Sequence, residues 1–362
     1  MELYSSESSD SDGFPSVKTV DYSYMMISNQ TLKKNIEVLE QEKQRDRRPD
    51  VVQKFHVNNN QLTELPQNIS LFHNLRHIDV SNNRLRSIPE ALTRFPLVTL
   101  NAKNNLINND NLPKSFQPWA STLLKLNLGG NSLTHFPPQV LDVLQLKSLY
   151  LGSNHIEELP RNINKLSSLS LLCVGGNRLI EVPDSVGELN NLEVLIVSDN
   201  KLEHLPPSIA SLKKLKTLQL HKNRLRTLPT EIIKLKCLSE LSLRDNPLVV
   251  KFVNDMTYNP ATLLEIAARV VKVNDITHTP EDLPRCLREY LNSAHYCVNP
   301  RCNGVFFDNR VEHIKFVDFC GKYRVPLLQY LCSSKCVVDN SALREGGGHS
   351  YRTDIMRKVL LG

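Results

Sequence analysis

This chain of 362 residues lacks several things, and each absence excludes a class of protein. It has no run of 18 apolar residues, so no segment suits a helix that crosses a bilayer. The opening Met1-Glu2-Leu3-Tyr4-Ser5-Ser6-Glu7 is acidic and serine-rich, without the apolar stretch of a secretory signal. The expectation is an intracellular chain, cytoplasmic with the nucleus left open, whose cysteines are thiols or metal ligands rather than disulfides. The formal charge of +6 is spread along the chain. With no dense basic stripe interleaved with aromatics, nucleic acid is not an expected partner. A phosphate-binding glycine loop is missing too, and no Glu-His pairing accompanies the cysteines, so an enzyme with a catalytic zinc has little support.

What the chain does have is a ruler of asparagines. Asn60, Asn83, Asn105, Asn131, Asn154, Asn177, Asn200, Asn223 and Asn246 are spaced by 23, 22, 26, 23, 23, 23, 23 and 23 residues. Each sits in one frame, clearest in Leu192-x-x-Leu195-x-Val197-x-x-Asn200-x-Leu202. The frame recurs as Leu146, Leu149, Leu151, Asn154, Ile156 and as Leu238, Leu241, Leu243, Asn246, Leu248. A fixed period of about 20–29 residues carrying L-x-x-L-x-L-x-x-N-x-L is the signature of leucine-rich repeats. Nine are counted, from a weaker first copy at Val52, Phe55, Val57, Asn60 and Leu62. The expected fold is α/β: a leucine-rich-repeat solenoid, or horseshoe, over 51–250.

The physics of the frame is short. Alternate leucines of a strand point inward while the residues between them face out. Each Asn side chain can bond backbone groups of adjacent turns, so the nine form a ladder. Leu-Pro or a similar pair follows most of them, at Pro66, Pro89, Pro137, Pro160, Pro183, Pro206 and Pro229, which suits the first residue of a helical turn on the convex side. Ahead of the array, residues 1–29 read as a disordered acidic tail. Leu32, Ile36 and Leu39 predict a capping helix within 30–50.

On the concave face, Tyr150, Cys173 and Ile196 occupy adjacent rungs, with Gln219 beyond them. Three unburied apolar side chains in a row mark a contact surface. Gly129, Gly152 and Gly175 beside them predict accessible backbone, and Lys103, His221, Lys222 and Arg244 add positive charge. The expected ligand is a folded partner protein. The alternative is ordinary strand residues with no ligand.

After the array, Asn259-Pro260 predicts a helix start. The segment 251–294 reads as a helical box that either caps the solenoid or anchors in another protein's groove. Thr262-Leu263-x-x-x-Ala267-x-x-x-Val271 resembles the elongin-C-binding box of cullin-ligase substrate receptors, with Ala267 standing where that family usually has Cys. The resemblance implies that Thr262, Leu263, Ile266, Ala267, Val270 and Val271 hold elongin C, and with it elongin B. A second element, Leu283-Pro284-x-x-Leu287-x-x-x-Leu291, resembles a cullin box, with Asp282 as its expected cap. That likeness implies contact with cullin-2 or cullin-5 and the RING-box protein each carries.

The segment 295–337 brings Cys297-x4-Cys302 and Cys332-x3-Cys336. Two close cysteine pairs around a strand-rich stretch suit a structural tetrahedral zinc site. His295, His313 and Cys320 are alternate ligands or core residues, and reduced core cysteines are the competing reading. Residues 338–362, starting beyond Val337 and containing Gly346-Gly347-Gly348, read as a flexible tail. Over about 50–337 the chain is similar to the leucine-rich repeat-containing protein 58 family, most clearly at 244–250, 262–269 and 314–324. Together the resemblances imply a non-catalytic receptor that brings a folded protein to a cullin–RING ubiquitin ligase. The alternative is an intracellular repeat scaffold whose post-array helices only cap it.

Overall fold

Side chains two apart on an extended backbone share a face, so an L-x-L unit buries two leucines and exposes its neighbours. The computed structural model describes residues 18–41, 48–248, 261–279, 281–299, 302–319 and 323–336. The expected features at 1–17, Asn259-Pro260, Cys320 and the tail lie outside those residues. The described residues divide into two compact units: one within Met1–Arg224 and Ile233–Asn246, the other within Leu225–Ile232 and Pro247–Gly362.

In the first unit each repeat contributes a three-residue strand. These are β1 (Thr19–Asp21), β2 (Lys54–His56), β3 (His77–Asp79), β4 (Thr99–Asn101), β5 (Lys125–Asn127), β6 (Ser148–Tyr150), β7 (Leu171–Cys173), β8 (Val194–Ile196) and β9 (Thr217–Gln219). β10 (Leu228–Pro229) leaves the series, and β11 (Glu240–Ser242) pairs with β9. The result is a parallel sheet of ten strands in chain order, the sheet of a leucine-rich-repeat solenoid. Leu100, Leu126, Leu149, Leu172, Leu195 and Leu218 stand in register along its centre, all buried.

The asparagine ladder has one repeated geometry. Asn154 Nδ2 donates to the carbonyls of Leu128 and Leu151, and its Oδ1 accepts from the Leu133 N–H, each at 3.0 Å. The equivalent bonds recur at Asn83, Asn131, Asn177, Asn200 and Asn223. The residue before each ladder Asn takes a left-handed φ, as at Asn59, Asn82, Asp199 and Lys222. Asn154→Ala leaves the buried Leu133 N–H without its acceptor, while the Leu128 and Leu151 carbonyls each keep one donor, from Asn131 and Asn177. The expected loss is therefore about 1–3 kcal/mol, read by urea denaturation. Asn246→Ala, at the partly exposed last rung, loses less; equal losses would contradict the ladder's role.

The amino-terminal end departs from expectation. Residues 18–29 are not a disordered tail, because Thr19–Asp21 pairs in parallel with β2. Val20-x-Tyr22-x-x-Met25-x-Ile27 occupies the repeat frame: Asn60 Nδ2 donates to the Tyr22 carbonyl at 2.8 Å, and the Ile27 N–H donates to Asn60 Oδ1 at 3.0 Å. Tyr24 has φ 59°, matching the left-handed position of the later turns. Met25 stands in the Asn slot. Among the described residues no earlier turn offers a carbonyl for an Asn to satisfy, so the polar side chain is dispensable there. α1 (Asn29–Gln41) follows and buries Leu32, Ile36 and Leu39.

The convex side carries short 3-10 turns. Pro66, Pro89, Pro137, Pro183 and Pro206 sit just ahead of the first helical residue, at the cap, rather than at the first helical position. Their extended ψ lets the carbonyl accept from the third residue on, as Pro66 does from the Ile69 N–H. The long 26-residue spacing is absorbed by turns at Asn109–Asn111 and Gln117–Trp119. Trp119 is buried there and donates from Nε1 to the Leu92 carbonyl at 3.2 Å.

The second unit contains α2 (Leu263–Val273), α3 (Arg285–Asn292), β12 (His295–Tyr296), β13 (Val305–Phe306), β14 (Val311–Phe319) and β15 (Tyr323–Leu331). β14 and β15 form an antiparallel hairpin with β10 added in parallel to β15, and β12 pairs with β13. Ala268 and Leu291 share one core with Val305 and Phe307, and Val271, Leu283, Tyr290 and Ala294 pack against it. A division between the helices and the cysteine segment at residue 294 is therefore corrected. They are one packed body.

Candidate functional site

The cysteine cluster is assembled by β12, β13 and the end of β15. Cys297 follows β12, Cys332 follows β15, and Cys336 closes the 3-10 turn Ser334–Cys336. Their sulfurs and that of Cys302 all lie within 4.8 Å of one another, with 3.5 Å from Cys332 to both Cys302 and Cys336. Disulfide sulfurs would stand about 2.0 Å apart. A tetrahedral zinc with bonds of about 2.3 Å needs sulfurs about 3.8 Å apart. The four thiols are free and fit that geometry. His295 and His313 are not part of the cluster; His295 stacks on Phe306 instead.

Gly304 forms the floor of this site. Its N–H donates to Cys302 Sγ at 3.2 Å and holds that thiol's pKa down, while burial chiefly pushes Cys332 and Cys336 up. A Cβ at Gly304 would lie 2.6 Å from Cys332 Sγ and 3.1 Å from Cys302 Sγ. Gly304→Ala therefore displaces two of the clustered sulfurs. The expected result is a fall in metal affinity of about tenfold or more, measured by competition with a chromophoric chelator. Unchanged affinity would separate the cluster from metal binding.

α2 presents two faces. Thr262 caps it by accepting from the Glu265 N–H at 3.2 Å. Glu265, Ala268 and Val271 turn inward. Leu263, Ile266, Ala267 and Val270 lie on the outward side, and the stripe continues to Val273 and Ile276. Leu263, at the first helical position, is 86% exposed. Of the six residues expected to hold elongin C, Val271 is half-buried and packs on the unit's own core.

The expected cullin-facing set is reduced further. Leu291 is 5% exposed and belongs to the core, and Leu283 packs against it. Pro284 is exposed at the cap of α3, and Leu287 is half-buried. Asp282 does not cap α3; its carboxylate accepts from the Thr279 N–H and hydroxyl at 2.7 and 2.8 Å.

Two residues in α2 carried no role in the sequence reading. Glu265 is fully buried, and burial pushes its pKa up. That push is outweighed by Arg269, the Phe307 and Asn309 N–H groups and Asn309 Nδ2, so the carboxylate titrates below its ordinary range. An acid and a base four residues apart on an apolar helix was the one available signal.

On the strand face, Tyr150, Cys173, Ile196 and Gln219 stand in register and half-exposed. Leu171 and Val194, one column over on β7 and β8, are also half-exposed and widen the apolar patch. Lys125 Nζ lies 5.5 Å from the Tyr150 ring centroid. His221 Nδ1 is 3.2 Å from Ser242 Oγ, and Arg244 is exposed. The glycines beside the patch do not offer open backbone. Gly129 and Gly175 are buried, and a Cβ at Gly152 would meet the Gly175 carbonyl at 2.9 Å, so they permit close stacking of turns.

Among the described residues no helix is long and apolar enough to cross a membrane. Family models for a leucine-rich repeat region and for a leucine-rich repeat match residues 175–258 and 74–95. A leucine-rich repeat protein of Leptospira interrogans is similar in structure, with TM-score 0.52 and 32% identity, over 54% of this chain and 50% of that one. Leucine-rich repeat-containing protein 58 of Homo sapiens is 60% identical over 319 residues, which is 87% of this chain and 85% of the human one. The Xenopus laevis protein of the same name is 61% identical over 303 residues, 83% of this chain and 85% of its own. The chain thus belongs to the leucine-rich repeat-containing protein 58 family.

Proposed function

We propose that this protein is a non-catalytic substrate receptor of an elongin B/C-containing cullin–RING ubiquitin ligase. The observation that carries the reading is the outward stripe of α2, with Leu263 exposed at its head and Ile266, Ala267 and Val270 behind it. An apolar helix face open to solvent is the form in which a helix enters a partner's groove. Pro284 and the open part of Leu287 remain for cullin-2 or cullin-5. The apolar patch of β6–β8, with Gln219, His221 and Arg244 beside it, holds a folded protein substrate. The four cysteines hold a structural Zn2+ and leave no coordination position open for catalysis. The chain's contribution is proximity: tethering raises the effective concentration of substrate lysines near the ubiquitin carrier. The compartment consistent with this role is the cytoplasm or nucleus.

A second reading is a repeat scaffold, favoured by the burial of Ala268 and Leu291, which makes the same helices part of the second unit's core. Purified elongin B/C separates the two. Stoichiometric capture of the full chain supports the receptor, and failure to capture a folded chain leaves the scaffold.

A further inference from the structure

The carboxylate of Glu265 is fully buried, and its partners come from two segments, α2 itself and 307–309. Arg269 donates to Oε1 from Nη2 at 2.6 Å and from Nε at 3.1 Å. The Phe307 N–H donates to Oε1 at 3.1 Å, and the Asn309 N–H and Nδ2 donate to Oε2 at 3.0 and 2.7 Å. Arg269 also reaches past the carboxylate: Nη1 donates to the Cys332 carbonyl at 2.8 Å, and Nη2 to the Asn309 carbonyl. Cys332 is one of the four clustered cysteines, and 307–309 lies on the chain between Cys302 and Cys332.

We propose that Glu265 and Arg269 are positioning residues that couple metal loading of the four-cysteine site to the orientation of the outward face of α2. A buried ion pair holds only while all its hydrogen bonds are made, since an uncompensated buried charge is strongly unfavourable. Most of those bonds come from segments that a metal at Cys297, Cys302, Cys332 and Cys336 would fix. Metal binding at such a site is coupled to folding of the chain around it. With the metal gone, the 307–309 turn and Cys332 relax, the pair loses donors and acceptors, and Glu265 turns to water. α2 then leaves the core through Ala268 and Val271, and Leu263, Ile266 and Val270 no longer hold a fixed face. Arg is needed for this geometry, because only its planar fork reaches Glu265, Asn309 and Cys332 at once. The consequence for docking rests on the reading of α2 as the elongin-binding helix; the coupling itself does not.

The test uses the full chain, loaded with zinc and then stripped with a chelator, and reads hydrogen exchange across 263–273. Zinc removal should raise exchange there by about tenfold or more, with strands β4–β8 as the internal reference. Glu265→Gln and Arg269→Lys in the zinc-loaded protein should give the same rise. Because coupling is reciprocal, both should also weaken zinc binding by about tenfold, read by chelator competition. Leu291→Ala, in the same core but outside the ion pair, controls for lost stability and should change zinc affinity much less. Exchange across 263–273 that is indifferent to zinc, or variants with the affinity of the parent, would overturn the proposal, as would a chain that retains no zinc. If zinc governs α2 exchange but elongin B/C captures neither form, the coupling stands and the choice of partner fails.

Discussion

Converting both Cys332 and Cys336 to serine is expected to abolish zinc retention and to unfold the second unit. The apolar clusters beside the cysteines are small: Ala268, Leu291, Val305 and Phe307 in one, and Val311 and Leu331 beside Cys336 in another. Clusters of this size gain stability from a staple. Structural zinc supplies about 10–16 kcal/mol of apparent binding energy in small folds, comparable with the whole stability of a domain at about 5–15 kcal/mol. Elemental analysis should read one zinc per chain for the parent and none for the double variant. Calorimetry should lose the transition assigned to 261–336 by hydrogen exchange, with the Asn-ladder repeats as reference. A double variant that keeps that transition would establish the competing reading, in which the four are reduced core thiols.

The second large effect is expected from Leu263→Asp, which should abolish capture by elongin B/C while leaving stability nearly unchanged. The structure makes this variant decisive. A buried leucine would confuse lost folding with lost binding, but Leu263 is 86% exposed and heads the helix just after the Thr262 cap. An aspartate there meets the positive end of the helix dipole, worth about 0.3–1 kcal/mol in favour of the helix. In a partner's apolar groove the same carboxylate is desolvated, a cost of several kcal/mol or roughly a thousandfold in affinity. Isothermal titration and thermal melts of the same samples distinguish the cases. A lower melting temperature with unaltered capture would place Leu263 in the fold and remove it from the elongin contact.

The repeat array was legible because the strands and ladder asparagines of each repeat bond to those of its neighbours. A period of 23 residues therefore states the strands, the buried leucines and the ladder without any long-range information. The same locality explains what escaped notice at the start of the chain. The first rung, Val20 to Ile27, has Met25 in place of Asn and a full helix before the next rung, so both letter and period are broken while the backbone bonds persist.

The second unit has no period, and there the sequence offered only residue types. It supplied four cysteines at spacings fit for a metal and an apolar helix fit for a groove, and the structure brings those sulfurs together. Which side of α2 faces water was decided by packing. Leu291 matched a binding pattern yet lies inside, and Val271 is half-buried, because both pack on the cluster that holds Val305 and Phe307, distant in sequence. Leu171 and Val194 joined the strand-face patch only when registered beside Tyr150, Cys173 and Ile196. The bonds of Glu265 and Arg269 to Phe307, Asn309 and Cys332 span 40 to 63 residues. A linear pattern carries local periodicity and residue chemistry. Which distant segments satisfy a buried charge is settled only when the chain closes on itself.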